Sequence, residues 1–535
     1  MARILVVDDD AEQLNLRRMI LERRGHDVAV AGNRAGALAL LGEFNPRCVL
    51  MDLRLPTAGE GLALIREIKA ASPEAEIYVL SGWPQDIEGR SEQSMATEVF
   101  TKPVKTERLL RALARLGALA AAFLLTAGAY AAGPVKFKVS GAGSEVVASI
   151  SIAAPGADWG QKGREGVLAR ILVNGKPRGH AWVFGEARGA PVNVFLGRLP
   201  AGEHTLSVEP VKSESANLPL ATQAVQVTEI PPSDPRYQAV ANAPVIIARA
   251  DTLGRFSDVP MLAYYEQVQG ALRYTVIFSN EDGGTSTRDL MARWGRTTDI
   301  EFVYQITPAT GATLIQAKGH KEIPYSGAYE GKHPFLEVST LNNMVAPGNA
   351  PAGKLDFRLL PEPAALTGSR ETVMDRHGWT YAVASKELAR EDKLRKFGEA
   401  NGENISDPRN YLVAELNSAP ESAGVQVIVK LKSGGVRYAS ARGMVENYVT
   451  RPGWIRLATE LPPGTRIEDI AGLLLDCVVT PDTKERKGAR DGSCGLDGPG
   501  RLMMMGPDYA PARWRAFRAQ GRWLNGTLAE LELLP

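Results

Sequence analysis

The sequence predicts a multidomain chain: an α/β domain with a parallel, doubly wound sheet, then an apolar export or membrane segment, then a β-sandwich and a larger β-rich region. Three observations predict it. Residues 1–116 alternate short apolar runs with apolar residues at helical spacing. Residues 116–133 carry no charge. Beyond them, short alternating or β-branched runs are separated by Gly, Pro and Asn turns. A length of 535 residues suits about three or four domains.

In the first domain, strands are predicted over 3–7, 27–31, 48–51, 77–80 and 98–100. Helices are predicted over 12–24, 35–41, 62–70 and 106–116. The first helix carries Leu14, Leu16, Met19, Ile20 and Leu21 at near-helical spacing. Residues 84–95 are polar and poorly periodic, so the helix between the last two strands is expected to be short. Strand and helix alternating at this spacing give a parallel sheet covered on both faces.

Residues 116–133 read LGALAAAFLLTAGAYAAG, preceded by Lys105, Arg108, Arg111 and Arg115. Ala129-Tyr130-Ala131 supplies a small-x-small pattern. Basic flank, apolar core and small-residue site are the make-up of a secretory signal, and the run is also long enough to span a bilayer. A buried Ala-rich helix is the alternative. The basic N-terminal side places the first domain in the cytoplasm and the C-terminal region outside it.

Residues 134–228 hold six clear strand candidates, and Asn174-Gly175 is a strong hairpin turn. The count and length suggest a sandwich of the immunoglobulin class. Residues 229–235 form a Pro-rich linker. Residues 237–420 are expected to form one β-rich domain and 421–535 a C-terminal β-rich subdomain, with 417–424 as a linker. One helix is expected at 380–391.

Composition sets bounds on function. Hydrophobic residues make up 44% and charged residues 23%, ordinary for globular protein. With Lys+Arg 62 against Asp+Glu 61, the net charge is +1, so no basic field recruits nucleic acid. No helix-turn-helix follows the first domain. Three cysteines are too few for a disulfide scaffold.

The chemistry lies at the strand ends. Asp8 and Asp9 close the first strand, Asp52 the third and Ser81 the fourth, and Lys102 follows the fifth. In an open parallel sheet these ends meet in one crevice. Asp8, Asp9 and Asp52, with a main-chain carbonyl near Arg54, suit Mg²⁺, which takes hard oxygen ligands. Crowded carboxylates repel, and a divalent cation relieves that repulsion. Asp52 then serves as a carboxylate nucleophile toward a phosphoryl group. Lys102 and the Ser81 hydroxyl are placed to hold phosphoryl oxygens.

The stretches Ile4-Leu-Val-Val-Asp-Asp-Asp10, Val49-Leu-Met-Asp-Leu-Arg-Leu-Pro56, Val79-Leu-Ser-Gly82 and Phe100-Thr-Lys-Pro103 resemble the response-regulator receiver family of two-component signalling. The resemblance covers residues 1–116. It implies a flavodoxin-like fold, Mg²⁺ dependence, phosphorylation of Asp52 by a histidine kinase or phosphotransfer protein, and a rearrangement of the Ser81 loop. One departure stands out: the family's aromatic switch position, three before the lysine, holds Val99, with Phe100 beside it.

Past the apolar segment, Cys477 and Cys494 bracket a polar loop and are candidates for a disulfide, as fits an oxidising compartment. Cys48 is read as core. Asp299, Glu301, His320 and His333 are candidates for a metal or acid/base site, although alternating acids also describe an exposed strand face. No HExxH, CxxC or GxSxG spacing occurs. Trp294, Trp379, Tyr264 and Tyr265 are read as core rather than a sugar platform. Three functions stay open: a signalling protein with an exported binding region, an exported hydrolase joined to a receiver by gene fusion, and an exported adhesion-like protein so joined. Val104 as an alternative start would make the exported part a separate protein.

Overall fold

The structure is a computed structural model. It describes residues 3–22, 27–44, 46–72, 75–102, 133–141, 143–185, 191–253, 256–281, 283–364, 366–479, 492–518, 521–524 and 526–534. The chain divides into two compact units, 1–129 and 130–535.

The first unit holds β1 (Arg3–Val7), α1 (Ala11–Glu22), β2 (Asp27–Ala31), α2 (Arg34–Phe44), β3 (Cys48–Asp52), α3 (Ala58–Ala71), β4 (Glu76–Ser81), α4 (Ser91–Met95) and β5 (Glu98–Thr101). The sheet order is β2-β1-β3-β4-β5, all parallel. That is the doubly wound order of flavodoxin-like sheets. Both faces are covered, which is why these strands read as apolar runs. Leu5, Val7, Val49, Met51, Ile77 and Val79 pack with Leu62, Ile65 and Ile68 of α3 on one face. Ile4, Val6, Cys48, Leu50, Tyr78, Leu80 and Phe100 pack with Leu14 and Leu21 of α1 on the other. Each such side chain contributes about 1.5–3 kcal/mol on burial. Thr57 caps α3 by accepting from the Glu60 N–H. As the polar sequence implies, α4 spans only five residues. The helix expected at 106–116 lies outside the described residues.

The second unit begins with seven strands: β6 (Val135–Val139), β7 (Glu145–Ala153), β8 (Val167–Val173), β9 (Lys176–Val183), β10 (Val192–Gly197), β11 (Gly202–Pro210) and β12 (Ala221–Ile230). One sheet runs β10-β7-β12; β9-β8-β11-β6 form part of another. Between them lie Val146, Ala148, Ile150, Ile171, Val173, Val194 and Leu206. Asn174 and Gly175, at φ 52° and 73°, make the tight β8–β9 turn.

The larger sheet continues past β9 into short strands from later sequence, with Phe357 paired to His180 and Ile246 to Phe357. The sandwich and the following region also share a core: Trp159, Trp182 and Phe184 pack in one cluster with Ile246, Tyr274 and Phe357. A six-stranded sheet is centred on Pro260–Val268, Ala271–Phe278 and Asp299–Thr307. The helix expected at 380–391 runs over Trp379–Arg390.

A ten-stranded C-terminal sheet has its own core. It begins at Tyr411–Ser418, which pairs with Gly453–Glu460, so the boundary expected near 420 moves upstream. Nor is 417–424 a free linker. Ala419 and Glu421 exchange backbone hydrogen bonds with Gly495 and Ser493, because an added strand satisfies their polar groups. Among the described residues, no helix is long and apolar enough to cross a membrane. Residues 116–132 of the expected export segment lie outside the described residues.

Candidate functional site: an acidic crevice at the strand ends

β1, β3, β4 and β5 are parallel neighbours, so their carboxyl ends open on one crevice. The carboxylates of Asp8, Asp9 and Asp52 converge there, with one oxygen of each within 4.8 Å of the others. At an effective dielectric of about 20, unit charges 4 Å apart repel by about 4 kcal/mol. That exceeds the ~0–1 kcal/mol of an exposed ion pair, so the cluster demands nearby cations.

Two protein cations answer. Lys102 Nζ lies 2.8 Å from Asp52 Oδ2 and 3.6 Å from Asp8 Oδ2. Arg17 of α1 pairs with Asp8 Oδ2. The backbone supplies donors too: Asp10 N–H to Asp8 Oδ1 at 3.0 Å and Arg54 N–H to Asp52 Oδ1 at 3.4 Å. Asp8 is almost fully buried, Asp52 partly so and Asp9 exposed. A closed end and an open end result. The hard-oxygen donor set fits Mg²⁺.

Ser81 ends β4, buried, with its Oγ accepting from the Trp83 N–H at 3.0 Å. Its carbonyl accepts from Lys102 N–H at 2.8 Å, tying the serine to the lysine through the backbone. Above the crevice, the Arg54 guanidinium stacks 4.0 Å from the half-exposed Trp83 ring and pairs with Asp86 at 2.8 Å. Sequence reasoning named Arg54 only for a main-chain carbonyl near it and missed its side chain, together with Arg17 and Trp83; Arg54 and Trp83, each following a motif residue, left a positional signal. Phe100 is fully buried and stacks on Tyr78, on the α1 face of the sheet, whereas Val99 packs toward the opposite face with Met95 and Ala96.

The second unit separates its four candidates. Asp299 and Glu301 lie together on a strand whose first six residues are all buried. Asn343 bridges Asp299 to Asp258, at 3.0 and 2.6 Å. Burial, then the neighbouring Asp299 charge, pushes the Glu301 carboxyl up to about 10 and that of Glu281 to about 7. Burial also raises Asp299. Burial opposes ionisation of Glu371 as well, but Arg296, Arg370 and Arg456 outweigh it and hold Glu371 at about 2. His320 sits instead on an exposed turn with φ 57°. His333 is buried elsewhere, stacked on Phe195, with Nδ1 on the Ala243 carbonyl at 2.8 Å and Nε2 on Glu145 at 3.1 Å. Both its nitrogens are committed, so the four residues do not assemble as one metal centre. Sequence reading also missed the buried pair His180–Asp356, at 3.2 Å. Cys477 and Cys494 form a disulfide with Cα atoms 5.8 Å apart, while Cys48 is a buried free thiol.

A family profile and curated relatives match the sequence of the first unit. The family profile described as "Response regulator receiver domain" matches residues 4–114. Protein PilH of Pseudomonas aeruginosa is 32% identical over 116 residues, covering 21% of this chain and 95% of PilH. The DNA-binding response regulator MtrA of Mycobacterium tuberculosis is 35% identical over 116 residues, but the match spans only 50% of MtrA. Among solved structures, the receiver domain of NtrX from Brucella abortus is 34% identical, covering 21% of this chain and 95% of that one, with a TM-score of 0.20. Response regulator TrrA from Thermotoga maritima, in complex with Mg²⁺ and BeF, is 26% identical, covering 22% and 99%, also with a TM-score of 0.20. The chain belongs to the response-regulator family, through a receiver domain that occupies residues 4–114.

Proposed function

We propose that the first unit accepts a phosphoryl group on Asp52 from a histidine kinase or phosphotransfer protein, within two-component phosphorelay signalling. The observation that carries this is Lys102 Nζ at 2.8 Å from Asp52 Oδ2 beside three converging carboxylates. Asp52 forms the new O–P bond as the donor's bond to phosphorus breaks. Its backbone anchor at Arg54 holds the carboxylate in place for attack. Lys102, released from the carboxylate, pairs with a phosphoryl oxygen. The Ser81 hydroxyl, whose Oγ accepts from the Trp83 N–H, keeps its own hydrogen to donate to another. Asp8, Asp9 and Asp52 would hold Mg²⁺, which supplies charge neutralisation for the transferring group. The test is labelling of the full chain by acetyl phosphate with and without Mg²⁺. Labelling is expected only with the metal and is lost in Asp52→Ala.

For the second unit, the proposal is an extracytoplasmic β-rich region, anchored or released through residues 116–133. The apolar run with its basic flank supports this, as does the Cys477–Cys494 disulfide, since such bonds persist in oxidising compartments. An exported hydrolase or adhesion-like protein fused to a receiver is the competing reading. N-terminal sequencing and fractionation of the native protein tell anchoring from release: one continuous membrane-associated chain is the anchored form and a chain starting near residue 132 the released one, while turnover on a substrate panel would favour the hydrolase.

A further inference from the structure

The sandwich leaves one of its edges open. β12 is an outer strand of the β10-β7-β12 sheet, ten residues long, and among the described residues it pairs with β7 alone. No backbone hydrogen bond beyond that pairing reaches residues 221–230 from any described residue. Antiparallel pairing on one side leaves about half of a strand's N–H and C=O groups pointing the other way. Those of β12 therefore face outward as a row of unpaired donors and acceptors.

The other edges of the sandwich are managed. β10, on the far side of the same sheet, is covered by residues 358–360: Phe195 N–H donates to the Arg358 carbonyl and Leu360 N–H to the Asn193 carbonyl, both at 3.1 Å. β6, the neighbouring edge, is five residues long and exposes Lys136 and Lys138. Short edges and edge lysines guard a strand against pairing with another chain. β12 has neither. Its sequence Ala221-Thr-Gln-Ala-Val-Gln-Val-Thr-Glu-Ile230 holds no lysine, arginine or proline. A bulge interrupts it between Thr222 and Ala224, and near its end Ser140 N–H donates to the Glu229 carboxylate at 2.7 Å. Residues 224–228 are left as a regular, uncharged stretch.

The faces of β12 define its partner. Val225 and Val227 turn inward against the core between the sheets. Ala224, Gln226 and Thr228 are exposed. Two copies related by a two-fold axis normal to the sheet keep both cores on the same side only if residues of like facing lie opposite one another. With the axis at Gln226, all of 224–228 pairs: Gln226 with its own copy, Val225 with Val227, Ala224 with Thr228. Apolar then meets apolar over the core and amide meets amide outside. Glu229 falls beyond the paired stretch, so no like charges meet. A strand bearing charge would find no counter-ion along 224–228.

We infer that β12 is a self-association edge: a second copy of this chain adds its own β12 antiparallel, centred on Gln226, and joins two three-stranded sheets into one. Sedimentation equilibrium of the full chain in mild detergent, over about 1–100 µM, tests it, since so small an interface suits a micromolar dissociation constant. A monomer–dimer equilibrium is expected. Ala224→Lys with Thr228→Lys sets lysine opposite lysine at both ends of the stretch and is expected to weaken the dimer about tenfold. Ala224→Lys with Thr228→Glu sets opposite charges there instead and is expected to restore it. Both positions are exposed, so the melting temperature is expected to hold. Should the lysine pair disturb the fold, Gln226→Cys reads the same register. Opposite Cβ atoms about 5 Å apart let a short bifunctional thiol reagent join position 226 to position 226, read by peptide mapping. A monomer throughout the range overturns the inference and leaves the edge to a different chain. A dimer unmoved by the lysines overturns it as well, as does one that the Lys–Glu combination fails to restore or that gives no 226–226 link.

Discussion

Lys102 and Asp52, fifty residues apart in sequence, meet at 2.8 Å because β4 lies between the strands that carry them and all three run in the same direction. The ammonium balances the carboxylate while no phosphoryl group is present, and the same ammonium is positioned for a phosphoryl oxygen afterwards. Lys102→Ala is therefore expected to leave the sheet folded while cutting the phosphorylated fraction at least tenfold. Phosphate-affinity electrophoresis reads that fraction, and thermal melting reads the fold.

Arg17 shares Asp8 with the cation that the acids are built to hold. Removing it frees an acceptor that a metal otherwise has to win. Arg17→Ala is expected to lower the half-saturating Mg²⁺ concentration severalfold, because the almost fully buried Asp8 is left without the cation that competes with the metal. Trp83, under the Arg54 guanidinium at 4.0 Å, gives the fluorescence readout.

Gly61 on α3 faces the backbone just after Asp52. A Cβ there would sit 1.9 Å from the Leu53 carbonyl oxygen, which cannot move aside as a side chain can. Gly61→Ala is expected to destabilise the receiver by about 1–3 kcal/mol, measured by denaturant unfolding. It is also expected to slow phosphorylation, since the displaced loop holds Asp52 through the Arg54 N–H.

The Cys477–Cys494 disulfide closes a loop of 17 residues. Loops of that length contribute about 3 kcal/mol by restricting the unfolded chain. Cys477→Ser with Cys494→Ser is expected to lower the melting temperature of the second unit by several degrees, with the first unit's transition unchanged. Cys48, buried in β3, is expected to stay unreactive toward thiol reagents until the receiver unfolds.

Glu281 gives the second unit a pH dependence of definite sign. Its ordinary value is 4.5, and burial with the Asp299 charge raises it to about 7 in the folded chain. A carboxyl that holds its proton more tightly when folded stabilises fully below 4.5, and that stability is lost as pH rises through about 7. Glu387, also raised to about 7 by burial and by Glu391, acts in the same direction. Denaturant midpoints for the second unit are expected to fall between pH 5 and pH 8. Glu281→Gln is expected to flatten part of that slope, and an unchanged slope would remove Glu281 from the account.

The receiver was legible because its information is local. Four strands are apolar runs closed by a polar residue, and parallel order alone brings Asp8, Asp52, Ser81 and Lys102 to one edge. Arg17 was not legible, since an arginine on an amphipathic helix has no mark distinguishing an inward from an outward face. The second unit hid more. Asp356–Phe357 is two residues long and joins its sheet through His180, far earlier in the chain, so no periodicity announces it. Asp299 and Glu301 alternate as exposed acids do. They are buried because Asn343 and Arg370, remote in sequence, supply the hydrogen bond and the charge that burial requires.

Reductive trapping tests the central claim most directly. The full chain is treated with acetyl phosphate and Mg²⁺, reduced with borohydride, digested and sequenced by mass spectrometry. Reduction of an aspartyl phosphate leaves homoserine, expected at position 52 and nowhere else. Homoserine at Asp8 or Asp9, or an unmodified Asp52 in a folded protein, would contradict it.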